Sequence, residues 1–146
     1  MNVSNVMTTQ VSWVAPEATL PEIARRMRAD DIGSVPVAEN DRLIGMVTDR
    51  DIVVRAVAEG GAIDRATARQ VMSGKVLYCH DDDSVASALK NMGENQVRRL
   101  PVLDSNKRLV GVVSLGDLSR AAEQAAGGAL KQISRPGQES EPAQSS

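Results

Sequence analysis

An internal repeat constrains the fold of this chain more than any other feature of its sequence. Three pairs of segments match each other: 6–8 (Val-Met-Thr) with 71–73 (Val-Met-Ser), 35–37 (Val-Pro-Val) with 100–102 (Leu-Pro-Val), and 42–48 (Arg-Leu-Ile-Gly-Met-Val-Thr) with 108–114 (Arg-Leu-Val-Gly-Val-Val-Ser). The spacing is 65 residues for the first two pairs and 66 for the third. The extra residue falls in the turn between Val102 and Arg108, where an insertion costs little. A chain built in this way is expected to fold as two similar units.

Each copy predicts an amphipathic helix near its start. Thr19 and Glu22 form a capping box in the first copy, with a proline in the first turn, and Ser84 caps the helix in the second copy. The apolar residues that follow have helical spacing: Leu20, Ile23, Ala24 and Met27 in the first copy, and Val85, Ala88, Leu89 and Met92 in the second. Such a stripe predicts that one face of each helix is buried.

A β-hairpin and a second helix follow in each copy. In the first copy, the apolar runs 35–38 and 43–47 flank the turn-forming residues 39–41, which predicts a hairpin. The helix after it has apolar positions at Ile52, Val53, Ala56 and Val57, matched in the second copy by Leu118, Ala121, Ala122 and Ala125. With leading strands at 11–14 and 76–79, each copy is a βαββα unit.

The predicted fold class is α/β (α+β), with two βαββα units related by pseudo-two-fold symmetry. A unit of roughly 60 residues buries too little apolar surface to be stable alone, so the two are expected to share a core. We assign residues 1–63 to the first unit, 64–71 to a linker and 72–126 to the second unit. The composition of residues 127–146 shifts to Gly, Ser, Gln, Pro and Glu, which predicts a flexible polar tail.

The composition excludes several classes of function. The net charge is −2 and the only aromatic residues are Trp13 and Tyr78, so nucleic-acid binding is not expected. Membrane insertion is not expected either, because no apolar run approaches the roughly 20 residues that span a bilayer. Cys79 is the single cysteine, which excludes an intramolecular disulfide and fits a cytoplasmic protein. The one histidine, His80, belongs to no pattern of nucleophile, base and orienting acid, so no enzyme activity is expected.

The turns at 45–51 and 111–117, each from strand to helix, carry the residues with the clearest functional chemistry. Each strand ends in a hydroxyl residue, Thr48 or Ser114, and an acid follows three residues later, Asp51 or Asp117. A helix N-terminus can hold a phosphate, and an acid in the first turn can accept hydrogen bonds from ribose hydroxyls. The same pattern is also an ordinary helix cap. The residues alone leave both interpretations open. A glycine in each strand allows a ligand or another backbone to approach closely.

Together these motifs resemble a tandem pair of cystathionine-β-synthase-type (CBS) domains, the Bateman module. The resemblance covers roughly residues 3–126, and segments 32–37, 49–53 and 97–102 are similar to small stand-alone bacterial members of the hypoxic-response-protein type. It implies two clefts for adenosine ligands: AMP, ADP or ATP first, with NAD or S-adenosylmethionine as further candidates. By this resemblance, one cleft combines Val14, Ala15, Ile32 and Gly33 with Ser114 and Asp117, and the other combines Cys79, His80, Val97 and Arg98 with Thr48 and Asp51. The acids would hold the ribose, and the hydroxyls would lie near phosphate.

Three residues of the second cleft have alternative interpretations. Arg98 stands where the first copy has Gly33, and an arginine there either grips a phosphate or fills the adenine pocket, so the two clefts should differ in affinity. His80 either edges the cleft or lies in an exposed loop. For Cys79 a buried inert thiol is favoured over a redox sensor. The acids at 81–83 are interpreted as charge at a helix start, so no metal site is predicted.

The leading hypothesis is therefore a cytoplasmic, non-catalytic regulatory module that binds an adenosine nucleotide, forms a homodimer and changes its affinity for an effector protein. The alternative is a structural or dimerisation module with degenerate clefts, in which the turns only cap helices.

Overall fold

The structure, a computed structural model, describes residues 1–133, with side chains described as far as residue 127. Its elements in chain order are a 3-10 turn Val3–Asn5, α1 Leu20–Asp30, β1 Ser34–Glu39, β2 Arg42–Thr48, α2 Asp49–Asp51 continued by a π-helical segment Ile52–Val57, α3 Ala68–Val71, β3 Cys79–His80, α4 Val85–Asn95, β4 Arg99–Leu103, β5 Leu109–Ser114 and α5 Leu115–Ile133. The mixed helix and strand composition confirms the predicted fold class. No helix within residues 1–133 is both long and apolar enough to cross a membrane.

Helices α1 and α4 begin where the sequence predicts them. The predicted capping box of α1 is not formed, because the Thr19 side chain makes no capping hydrogen bond, whereas the cap of α4 is present. The Ser84 hydroxyl accepts a hydrogen bond from the backbone N–H of Ser87, 3.0 Å away. Each helix ends at a residue in the left-handed conformation, Asp31 after α1 and Gln96 after α4. The predicted stripe is buried in both helices except at two positions, since Ala24 is exposed and Leu89 is only half-buried.

The predicted hairpins are present as antiparallel strand pairs, β1 with β2 and β4 with β5. The leading strands are shorter than predicted. In the first copy only Val14 pairs with β1, through a bridge to Val37, and in the second copy β3 pairs with β4 over two residues. Residues 10–12 and 75–77 leave the sheet and line surface clefts instead.

The pseudo-two-fold axis passes between the two hairpins. Arg42 forms an antiparallel bridge with Arg108, its own equivalent in the second copy. The backbone N–H of Leu109 donates to the carbonyl oxygen of Asp41 at 2.8 Å. Contact between equivalent residues occurs only on the symmetry axis, so the bridge fixes how the two copies face each other.

The sequence predicts that the two copies share a single core, and this is wrong: there are two cores, and the copies exchange short segments between them. Val3, fully buried, packs in the core that contains α4, β4 and β5. Ala68 and Val71 of α3 pack in the core that contains α1, β1 and β2. The short helix before each copy therefore completes the core of the other copy. Burial of a valine contributes about 2 kcal/mol, so this exchange couples the two halves.

The exchanged segments are held by equivalent backbone hydrogen bonds. Thr8 exchanges two hydrogen bonds with Val112 of β5, at 2.9 and 3.0 Å. Ser73 exchanges two with Met46 of β2, at 2.9 and 3.1 Å. Core membership therefore departs from the linear division into 1–63, 64–71 and 72–126. Residues 127–133, assigned to the tail from the sequence, continue α5, and the rest of that predicted tail lies outside the described residues.

The repeated glycines Gly45 and Gly111 make room for these exchanged segments rather than for a ligand. A Cβ atom on Gly111 would lie 2.7 Å from Met7 Sδ and 3.0 Å from the carbonyl oxygen of Thr8. A Cβ atom on Gly45 would overlap the side chain of Met72. Both glycines are buried, so the missing side chain is what lets each segment pack against its strand.

Candidate functional site

Two clefts of about 400 Å³ each lie between the copies at positions related by the repeat. We call them the Thr48 cleft and the Ser12 cleft. The Thr48 cleft is lined by Gly33, Ser34, Met46, Thr48, Asp51, Ser73, Lys75, Val76, Leu77, Val97, Arg98 and Arg99. The Ser12 cleft is lined by Thr8, Gln10, Val11, Ser12, Arg26, Asp30, Ile32, Ser34, Pro36, Met46, Arg99, Leu100, Pro101 and Val112. This size lies in the range of small-molecule sites.

Thr48 and Asp51 form a reciprocal cap at the start of α2. The backbone N–H of Thr48 donates to Asp51 Oδ2 at 2.9 Å, and the backbone N–H of Asp51 donates to Thr48 Oγ1 at 3.0 Å. Asp51 Oδ1 lies 3.8 Å from Arg55 Nε. An ionised carboxylate offers about four acceptor positions, so the cap and the Arg55 pair leave room for a further hydrogen bond. The capping interpretation is thus realised in the first copy, without excluding a ligand.

The wall opposite Thr48 combines apolar and cationic side chains. Val76 and Val97 are half-buried and Leu77 is exposed, and all three contribute apolar surface to the lining. Lys75, Arg98 and Arg99 are exposed, and within residues 1–127 none of them forms a salt bridge. The cleft stays open with Arg98 in its wall. This arrangement can accept a planar apolar group together with negative charge.

The predicted pair Val97 and Arg98 therefore lies in one cleft with Thr48 and Asp51, whereas the other predicted combination is divided. Ile32 lines the Ser12 cleft, but Gly33 lines the Thr48 cleft. The reason is local, because the Gly33 carbonyl accepts a hydrogen bond from the backbone N–H of Asp49 at 2.9 Å, beside the turn of its own copy.

Ser114 and Asp117 lie outside the lining of the Ser12 cleft. The backbone N–H of Asp117 donates to Ser114 Oγ at 3.1 Å, so this turn is also a helix cap. The carboxylate of Asp117 forms an ion pair with Arg120 one turn further along α5. The two equivalent acids thus pair with arginines at different positions of their helices. Arg55 lies four residues after Asp51, and Arg120 lies three residues after Asp117.

A polar cluster stands at one end of the Ser12 cleft. Ser12 Oγ donates to Asp30 Oδ2 at 2.6 Å, and Arg26 Nη1 donates to Ser12 Oγ at 3.4 Å and to the carbonyl oxygen of Trp13 at 3.3 Å. The charges of Arg26 and Asp30 offset each other there. The Ser12 cleft is consequently more polar than the Thr48 cleft and less positive.

Besides Ser114 and Asp117, four of the predicted site residues lie away from both clefts: Val14, Ala15, Cys79 and His80. Val14 is buried in the sheet beside Val37, and Ala15 is exposed in a separate shallow depression that Glu22 also lines. Cys79 is 1% exposed in the core of the second copy, and burial, assisted by Asp83, raises the pKa of its thiol to about 12. An inert thiol is the expected behaviour at such a pKa.

His80 is half-buried, and its ring packs edge to face against Tyr78 with 5.5 Å between ring centroids. Its backbone N–H donates to Asp83 Oδ2 at 2.9 Å, which orders the turn before α4. Among the described residues, no three His, Cys, Asp or Glu side chains are grouped closely enough to hold a metal ion.

The cleft residues that the sequence reasoning missed include Arg99, which lines both clefts, and Lys75, Val76 and Leu77, with Gln10, Val11 and Ser12 as the equivalents of these three. The missed signal was in the repeat: these segments start two residues after the matched Thr8 and Ser73, just before the chain joins a sheet. Their apolar residues were assigned to strands instead.

Comparison with known proteins gives consistent matches over most of the chain. The profile of the CBS domain matches residues 3–57 and 68–124. The CBS domain-containing protein YhcV of Bacillus subtilis is 40% identical over 135 residues, which cover 91% of this chain and 95% of that protein. Hypoxic response protein 1 of Mycobacterium tuberculosis is 40% identical over 117 residues, which cover 80% of this chain and 81% of that protein.

Solved structures match the fold as well. A crystal structure of Hypoxic Response Protein I with two coordinated zinc ions superposes with a TM-score of 0.75 at 38% identity, and covers 82% of this chain and 98% of that one. CBSX2, solved in complex with AMP, superposes with a TM-score of 0.73 at 22% identity, and covers 85% of this chain and 97% of that one.

Proposed function

The chain belongs to the CBS domain family, and from that premise we propose that it is a non-catalytic regulatory module that binds an adenosine-type nucleotide, foremost AMP, ADP or ATP, in the clefts between its two copies. NAD and S-adenosylmethionine are the further candidates. CBSX2 was crystallised with AMP, and the CBS domain pair of MJ0100 with 5'-methylthioadenosine and S-adenosyl-L-methionine.

The observation that carries the proposal is the composition of the Thr48 cleft. Val97 offers an apolar surface for a base, Asp51 an acceptor for ribose hydroxyls, and Arg98 a donor for phosphate. These groups come from both copies, so a ligand would contact the two halves at once. Ser114 and Asp117 lie outside the lining of the Ser12 cleft; we retain them as candidates for a second site, where the ribose would have to compete with Arg120 for the carboxylate.

The position of the Thr48 cleft suggests how binding would regulate. Ser73 lies in its wall, and the same residue is hydrogen-bonded to Met46 of the first copy. A ligand that prefers one arrangement of these segments shifts the population toward it, by as much as its affinity for the two states differs. An effector protein that binds the favoured arrangement would sense the nucleotide.

We also propose that the module is a cytoplasmic homodimer. Val53, Val54 and Val57 form an exposed apolar face after α2, with side chains 58%, 48% and 50% exposed. Their equivalents in the second copy are Ser119, Arg120 and Glu123, so the apolar character is particular to the first copy. Contiguous exposed apolar side chains favour association with another protein surface.

Thermal melting with each ligand tests nucleotide binding. Ligand at 100 times its Kd is expected to stabilise the protein by about 2.7 kcal/mol, a shift of several degrees. Asp51→Ala and Asp117→Ala form a matched pair, because each removes the acid of one turn. The ligand shift is measured against the melting temperature of each variant alone, so the loss of a cap does not enter the comparison. Absence of a shift with all five ligands would refute the proposal.

The second candidate function is a structural module without nucleotide. The reciprocal Thr48–Asp51 cap and the Asp117–Arg120 ion pair favour it, because both acids already have partners in the protein. Under this alternative the dimer forms, and no ligand changes the melting temperature.

A further inference from the structure

We infer that the Thr48 cleft selects ligands that carry two or three phosphates, whereas the Ser12 cleft takes ligands with at most one. The inference rests on the proposed function, since it specifies the class of nucleotide for each cleft. It follows from a difference in charge between two clefts that lie at positions related by the repeat.

The charge difference lies at three pairs of equivalent positions. Lys75, Arg98 and Arg99 in the second copy correspond to Gln10, Gly33 and Ser34 in the first. All three cations line the Thr48 cleft, and Arg99 also reaches the Ser12 cleft. The two clefts have the same volume of about 400 Å³, so size does not distinguish their ligands.

Acidic groups near each cleft reinforce the difference. In the Ser12 cleft, Asp30 and Arg26 both belong to the lining, and Arg99 is the one further cation there. On the Thr48 side, Asp51 is paired with Arg55, and Asp49 lies near Gly33. Three cations and one acid, Asp51, therefore line the Thr48 cleft, and because Asp51 is already paired with Arg55 the lining is positive.

The chemistry of phosphate explains the selection. Each added phosphate brings at least one negative charge and further acceptor oxygens, which Arg and Lys bind through charge-assisted hydrogen bonds. A hydrogen bond to a charged group is worth about ten-fold or more in affinity, reduced by solvent when the cation is exposed. The apolar surface of Val76, Leu77 and Val97 would receive the base in either case.

Isothermal titration calorimetry tests this on the full chain with adenosine, AMP, ADP, ATP and inorganic tripolyphosphate, each at 20 and 200 mM salt. We expect one site with ATP and ADP about ten-fold tighter than AMP at the lower salt, and a smaller ratio at the higher salt. Lys75→Gln/Arg98→Gln should bring ATP to within about three-fold of AMP. Arg25→Gln/Lys107→Gln, which removes one exposed arginine and one exposed lysine outside both clefts, should leave the ratio unchanged. Gln10→Lys should strengthen ATP binding in the Ser12 cleft, which Gln10 lines.

The outcomes separate this inference from the proposed function. If AMP and ATP bind equally in the unmodified chain, or if the control variant lowers the ratio as much as the cleft variant, the phosphate selection is wrong while nucleotide binding stands. Binding of tripolyphosphate without any preference for nucleotides supports the cationic cleft but refutes the adenosine proposal. If nothing binds, both are refuted.

Discussion

Substitution of the two repeated glycines by alanine should destabilise the protein, and by different amounts. The added Cβ of Gly111→Ala meets Met7 Sδ at 2.7 Å and the carbonyl oxygen of Thr8 at 3.0 Å. The methionine can rotate away, but the Thr8 carbonyl accepts a hydrogen bond from Val112 at 3.0 Å and cannot move without lengthening it. Overpacking of this kind costs about 1–3 kcal/mol, and we expect Gly111→Ala in the upper half of that range.

Gly45→Ala should cost less, because the three atoms nearest to the added Cβ all belong to the Met72 side chain, and the two nearest of them, Sδ and Cγ, can rotate away. The chain also provides a matched control of opposite sign. Gly93 lies within α4 with no atom within 4 Å of an added Cβ, so Gly93→Ala should stabilise by about 0.5–1 kcal/mol. Gly111→Ala and Gly93→Ala each add one methyl group. The difference between their changes in unfolding free energy therefore reports the contact of Gly111 with the exchanged segment.

Urea unfolding at equilibrium measures all three variants, with thermal melting as a check at about 4 °C per kcal/mol. The double variants Gly45→Ala/Met72→Ala and Gly111→Ala/Met7→Ala test the contact itself. In the first pair the loss from Gly45→Ala should be largely relieved, and in the second the clash with Thr8 remains. Unchanged stability of Gly111→Ala, or a gain in stability like that expected for Gly93→Ala, would refute the account of why these glycines recur.

Three further measurements follow from the structure. Thr48→Ala should lose about 1 kcal/mol of unfolding free energy in urea titrations because it removes the cap on Asp51, and Thr48→Ser should retain most of it; equal losses in the two variants would contradict the capping role. The pKa of Cys79 is raised from 9.0 to about 12 in the folded chain, so the thiol ionises first in the unfolded chain and the free energy of unfolding should fall between pH 9 and about 12. This decline should be smaller in Cys79→Ala, and an identical pH profile in the two proteins would argue against a buried thiol. Val53→Glu/Val57→Glu should convert the proposed dimer to a monomer, as measured by light scattering after size exclusion. Ser119→Glu, at the position equivalent to Val53 in the second copy, is the control, and an unmodified chain that is already monomeric would contradict the dimer proposal.

The sequence alone determined the elements whose signals are local. Helices α1 and α4 begin where caps and apolar spacing predict them, and the hairpins form around the turns at 39–41 and in the interval between Val102 and Arg108. These signals act between residues a few positions apart, and each occurs in both copies of the repeat. For the same reason the Thr48 turn and its hydrogen-bonded acid could be identified before the structure was known.

Tertiary structure decided which segments complete each core and which line the clefts. Nothing in the sequence near Val3 indicates that it packs in the core of the second copy with α4, because its burial depends on a surface formed by a distant part of the chain. In the same way, Val76 and Leu77 have the apolar character of a strand, but the position of the other copy makes them part of the cleft wall. Cys79, a few residues later, lies in the core. Capping is a property of neighbouring residues, whereas burial is a property of surfaces that meet only after folding, and this chain places its clefts where two such surfaces meet.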